Sequence, residues 1–194
     1  MNYLTQAALL ERGWTRKMID TLLPAPTLKQ NPYYRSAPPT KLWSLQDVER
    51  AEQTQEFAAA AERAKKRKAS AEQAVRTKRQ NTEYAMLNAA DHIRVEVIPL
   101  SELRNKTLAQ KQRWYDDHDK IEADAWRAPD ETVNRWMVNY IRHRLTTYDD
   151  VLYCVKGKVG ANAIHPRYKN IVLRKIAEAY PALKDECDRQ ESMT

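Results

Sequence analysis

Glycine is nearly missing from this chain: Gly13, Gly157 and Gly160 are the only three in 194 residues. Glycine-rich phosphate loops of the P-loop or dinucleotide type are thereby excluded, because their backbones need several glycines to approach phosphate closely. Cysteine is scarcer still. Cys154 and Cys187 cannot by themselves build a disulfide framework or a four-ligand zinc site, and both read as buried thiols. No apolar run approaches the roughly 18 residues of a membrane span, and Met1-Asn2-Tyr3-Leu4-Thr5 lacks a signal-peptide core. The expectation is a cytoplasmic protein without a membrane partner, nucleoid-associated if bacterial.

What the chain does have is charge and helix formers. It holds 33 Lys+Arg against 26 Asp+Glu, a net charge of +7, and 42% hydrophobic residues, enough for a packed core. The excess is localised. Residues 1–43 carry six basic and two acidic side chains, residues 44–61 one and four, and residues 62–79 eight and two. Residues 80–194 balance at eighteen of each. A positive field concentrated in the first 80 residues points to a polyanion partner.

The local signals predict a mainly α chain in three parts: a small winged helix-turn-helix module over 1–43, a long basic connecting helix over 44–90, and an α-helical domain over 91–194 with one short strand. Thr5 and Thr15 are placed to cap two short helices separated by Gly13, and Pro24 stops the second. Prolines at 26, 32, 38 and 39, interleaved with Lys29, Tyr33, Tyr34, Arg35 and Lys41, suit an extended hairpin or wing. Ser44-Leu45-Gln46-Asp47 opens a third helix. Trp14 and Trp43 read as core of so small a module.

As an ordered set, Leu9-Leu10, Asn31-Pro32 followed by two ring-bearing residues, Lys41-Leu42-Trp43 and "SLQDVERAE" resemble the winged-helix unit of MerR-type regulators and excisionases. Within that superfamily the stretch is most similar to the C-terminal subdomain of the xeroderma pigmentosum group A (XPA) DNA-repair family, over about residues 4–80. The zinc subdomain that precedes this unit in the family is absent, since no cysteine occurs before Cys154. The resemblance implies a DNA-binding fold; a role in excision repair does not carry over.

The residues expected to contact nucleic acid are Arg16 and Lys17 on the second helix, and Lys29, Asn31, Tyr33, Tyr34, Arg35 and Lys41 on the wing. The helix that follows adds Arg63, Lys65, Lys66, Arg67, Lys68, Arg76, Lys78 and Arg79. Arg16 and Lys17 can offer side chains and amides to phosphate, and the wing tyrosines can stack on an unpaired base. The other reading of Tyr33 and Tyr34 is packing on the module's own core. No proline lies between Pro39 and Pro99 and no glycine between Gly13 and Gly157, so residues 44 to about 88 can run as one helix. Between Phe57 and Tyr84 its only strongly apolar residue is Val75, which excludes a coiled coil. Lys65, Lys68, Arg76 and Arg79 share a sector of about 80°, and Arg63, Arg67 and Lys78 lie opposite. The helix is then either an electrostatic arm or a solvated spacer.

In the C-terminal part, residues 92–98 alternate as a strand. Helices are expected from Ser101, Pro129, about Tyr148, Pro166 and Pro181, with Trp136, Tyr140 and Tyr148 as core. This domain would serve assembly, as a homo-oligomer or with a protein partner. No catalytic residue and no cofactor is assigned. The rival reading is a metal-dependent nuclease or hydrolase whose ligands would be His118, Asp119, His143 and Asp149, although no recognised ligand spacing is present. An RNA-binding or scaffold role is a third reading. The leading expectation is a non-enzymatic protein that binds DNA as duplex, junction or single strand.

Overall fold

The computed structural model describes residues 2–30, 38–120 and 122–193. The chain is mainly helical, with one small three-stranded antiparallel sheet. It divides into two compact units, Met1–Ala74 and Val75–Thr194. No helix among the described residues is long and apolar enough to cross a membrane.

The first unit runs β1 (Tyr3–Thr5), α1 (Gln6–Glu11), α2 (Arg16–Leu22), β2 (Thr27–Lys29), β3 (Thr40–Ser44), α3 (Leu45–Glu52) and the first turns of α4 (Gln55–His92). The expected caps form: Thr5 Oγ1 accepts from the Ala8 amide and Thr15 Oγ1 from the Met18 amide, each at 3.2 Å. These bonds satisfy donors that a helix start would otherwise leave unpaired. Gly13 turns the chain between the helices at φ +96°, a conformation costly for residues with a Cβ. β3 lies at the centre of the sheet, with Leu4 opposite Trp43 and Leu28 opposite Lys41. Leu9, Trp14, Met18, Ile19, Trp43 and Val48 are buried together, so both tryptophans are core as expected.

The long helix begins later than its composition suggests. Instead of one helix from residue 44, α3 stops at Glu52 and α4 starts at Gln55. Thr54 makes the break: its Oγ1 donates to Ala51 O at 2.7 Å and accepts from the Phe57 amide at 3.2 Å. A threonine hydroxyl can thus both end one helix and cap the next without glycine or proline. The break lets Phe57 turn onto Trp14, with ring centroids 4.7 Å apart.

In the second unit, Thr82, Met86 and Ala90 of α4 are buried. Met86 and Ala90 join a core formed with α5 (Leu100–Asp117), α6 (Asp130–Arg144), α7 (Tyr148–Val155), α8 (Ala161–Ala179) and α9 (Lys184–Ser192). The strand expected over 92–98 does not form. That segment is irregular, and its polar backbone is met singly: Glu96 N bonds Leu145 O, and Ile98 N bonds the Tyr180 hydroxyl, both at 2.9 Å. The apolar alternation is real, since Ile93 is buried and Val95 and Ile98 pack on the core, but no strand among the described residues pairs with it in a ladder.

Three smaller expectations also change. Pro166 lies inside α8, which starts five residues earlier behind Gly160. Tyr148 is buried, whereas Trp136 and Tyr140 are only partly covered. Cys187 is buried as expected; Cys154 is exposed.

Candidate nucleic-acid interface

The helix-turn-helix and the start of α4 enclose an open groove of about 530 Å³ within the first unit. Thr15, Lys17, Met18 and Thr21 line it from the α2 side, and Ala60, Arg63, Lys66 and Arg67 from α4. Residues 60, 63 and 67 recur at helical spacing, so one face of α4 turns toward α2. Ala60 is the small residue on that face, and it packs against the core that Met18 helps to form.

Four cations and no carboxylate line this groove. Only Lys66 has an acidic partner among the described residues, Glu62 at 3.8 Å; that contact is exposed and within one helix, so it holds the lysine weakly. Arg67 Nε donates to Arg63 O at 3.3 Å, which lays one guanidinium back along its own helix. Thr21 Oγ1 donates to Lys17 O at 2.7 Å and Thr15 Oγ1 is taken by its capping bond. The groove therefore presents positive charge that its own lining does not neutralise.

Its shape depends on a clamp behind it. Glu52, at the end of α3, accepts from Arg12 Nε and NH2 at 2.7 Å each and from Trp14 Nε1 at 2.9 Å. The Arg12 bond holds the Glu52 carboxyl below its ordinary pKa against an opposing push from burial, and the Trp14 bond adds to the lowering. The turn between α1 and α2 is thus fastened three residues ahead of α4.

Of the residues expected to contact nucleic acid, the structure gathers Lys17, Arg63, Lys66 and Arg67. The other expected residues that lie among the described ones do not join them. Arg16 is exposed beside the groove without lining it. Lys29 stands opposite Thr40 and Leu28 opposite Lys41, so Lys29 and Lys41 point to opposite faces of the sheet. Lys65 and Lys68 fall on the far side of α4 at 100° per residue. Arg76, Lys78 and Arg79 belong to the second unit. There Lys78 lines a separate hollow with Lys158, and the Arg79 stem packs over Gly160. Asn31, Tyr33, Tyr34 and Arg35 lie outside the described residues. Thr15, Met18, Thr21 and Ala60 were not anticipated as lining. The one sequence signal for them is the run 60-63-67, which puts a small residue in register with two arginines.

The rival metal set is not assembled. His143 Nδ1 and Asp149 Oδ1 meet at 2.8 Å, and Arg142 Nε donates to His143 Nε2 at 3.3 Å, so both ring nitrogens are engaged. His118 instead bonds its own helix at Trp114 O, 2.8 Å, and stacks on the Trp114 ring at 4.4 Å. Among the described residues no group of three or more His, Cys, Asp or Glu side chains is placed to hold a metal ion.

Compared with protein families, curated proteins and solved structures, the chain has no significant match.

Proposed function

We propose that this chain is a non-enzymatic DNA-binding protein whose first unit takes the phosphate backbone into the groove between α2 and α4. The observation that carries this reading is the clustering of Lys17, Arg63, Lys66 and Arg67 on one surface with no carboxylate in its lining, Lys66 alone having an exposed partner in Glu62. Phosphate is the dense linear anion that such a surface fits, and its neutralisation releases condensed counterions. Lys17 and the two arginines are positioning contacts; they carry no base code by themselves. The composition of the first 80 residues and the resemblance to XPA and MerR-type modules favour DNA as the polyanion. The second unit, electrostatically balanced, serves assembly or a protein partner, and the protein acts in the cytoplasm or on the nucleoid.

Anisotropy titrations of labelled duplex, forked and single-stranded DNA, with an RNA control, test the reading across about 50 to 200 mM salt. Exchanging Arg63 and Arg67 for Gln weakens binding to all sequences alike and lowers the salt slope by about two, one per lost phosphate contact. Unchanged affinity and slope would overturn the groove as the interface. Binding to RNA alone, or to no nucleic acid at low salt, would give the protein to the scaffold reading. DNA cleavage that requires Mg²⁺ or Mn²⁺ would overturn the non-enzymatic assignment.

A further inference from the structure

A second groove, entirely within the second unit, has the composition of a ligand site. Its volume is about 480 Å³, within the range of small-molecule sites. One face of α5 supplies Thr107, Gln110, Lys111 and Trp114, and one face of α6 supplies Trp136, Asn139, Tyr140 and His143, both at i, i+3, i+4, i+7 spacing. Both faces run from buried to exposed: Thr107 is buried, Trp136 and Tyr140 are partly covered by the core, and Trp114 and His143 are open to solvent.

Three observations point to an occupant. Thr107 lines the groove at 2% exposure, yet its Oγ1 has no hydrogen-bond partner. A buried hydroxyl left unpaired is costly unless something else completes it. Lys111 and Arg144 line the same groove, and neither has a carboxylate partner among the described residues; the one acid present, Asp149, is taken by His143. Burial and the neighbouring Arg135 lower the Lys111 pKa, so this ammonium lacks a compensating anion. Finally, the lining combines rings with amides. Trp114 already holds Lys111 Nζ 3.8 Å from its centroid and His118 stacked on it; Lys111 Nζ also lies 5.5 Å from the Trp136 centroid, and Tyr115 meets that ring edge-on, which leaves one side of Trp136 and the ring of Tyr140 to the groove. Asn139 gives Oδ1 to Arg142 and keeps its NH2 as a donor.

We infer that this groove binds a nucleotide unit, with its base against Trp136 and Tyr140 and its phosphate between Lys111 and Arg144. The Gln110 and Asn139 amides and the Thr107 hydroxyl supply hydrogen bonds to the base or sugar. Either a free mononucleotide or an unpaired nucleotide of a strand carries this chemistry. The inference is independent of the first-unit groove, which has no ring in its lining.

Calorimetric titration of the full-length chain with 5′-dAMP, a single-stranded DNA hexamer and inorganic phosphate tests it. Saturable binding of dAMP or of the hexamer is expected, and the tighter of the two identifies the source. Lys111→Met or Arg144→Gln weakens it about tenfold, the scale of a lost charge-assisted contact. Thr107→Val, which leaves no unpaired hydroxyl and keeps the fold, weakens it about threefold to tenfold. Arg63→Gln with Arg67→Gln leaves dAMP binding unchanged. The inference is overturned by inorganic phosphate binding as well as dAMP, by no saturable binding of either nucleotide probe, or by loss that follows the first-unit variants instead.

Discussion

The Glu52 carboxylate grips the Arg12 guanidinium through two parallel hydrogen bonds of 2.7 Å, forty positions apart in the chain. The same carboxylate takes Trp14 Nε1, so a single side chain fastens the turn of the helix-turn-helix to the end of α3. Two-point geometry of this kind fixes direction as well as distance. With the turn held, α2 and the first turns of α4 keep their spacing, and Lys17 stays beside Arg63 and Arg67.

That clamp makes the first unit acid-sensitive with a definite sign. The folded-state pKa of Glu52 is depressed, so its contribution is fully present above the ordinary glutamate pKa of about 4.3. It is lost as pH falls through the lower folded value, because only the unfolded chain then binds the proton readily. Thermal melts of the full chain followed by tryptophan fluorescence are expected to lose stability as pH drops below about 4.5, with Glu52→Gln less stable at neutral pH and flatter in acid. A variant as acid-sensitive as the parent would remove Glu52 from this role.

The groove also ranks the basic residues of α4, which their charge alone does not. Lys17→Gln combined with Arg63→Gln is expected to lower DNA affinity more than Lys65→Gln combined with Lys68→Gln, although each pair removes two charges. Part of the loss at Lys17 and Arg63 is non-additive, since neighbours that share one phosphate couple by about 0.5 kcal/mol or more. Equal losses from the two pairs, measured by anisotropy at one salt concentration, would mean that total charge matters and the groove does not.

Local rules anticipated most of the helices and little of the site. Thr5, Thr15, Gly13 and Pro24 act within a few residues of themselves, and each does in the structure what its chemistry predicts. Residues 92–98 show the limit of that reasoning: alternation reports which side chains face a core, while a strand needs a partner backbone elsewhere in the chain. Thr54 shows another limit, because a break made by one hydroxyl leaves no mark in helix propensity. The basic residues looked like an arm charged all round. The pairing of Lys17 with Arg63, Lys66 and Arg67 depends on how α4 packs against α2, and no spacing within either helix contains that contact.

Two left-handed glycines give a matched test of strain against crowding. Gly13 at φ +96° has open space where a Cβ would stand, whereas a Cβ on Gly160 at φ +92° would sit 2.8 Å from Arg79 Cγ. Gly13→Ala is expected to cost about 1 kcal/mol through backbone strain alone. Gly160→Ala costs more, and adding Arg79→Ala recovers only the excess, leaving a penalty close to that of Gly13→Ala. Denaturant melts of these three variants, with Arg79→Ala alone as the reference for the double variant, check this. Full recovery in the double variant would mean that the φ angle at Gly160 carries no cost.

The two cysteines differ enough to be told apart by a thiol reagent. Cys187 is 1% exposed, and burial, with Asp188 and Glu186 adding to it, pushes its pKa up to about 12. Thiolate is the reacting form, so at neutral pH Cys187 is both unreachable and protonated. Cys154 is exposed on α7. One equivalent of thiol is expected to react promptly with a disulfide reagent in the native protein, and Cys154→Ser removes it. The second appears only on addition of denaturant, at a rate set by opening of the second unit. Two prompt equivalents in the native protein would show that the packing around Cys187 opens under native conditions, against its place in the core beside α8.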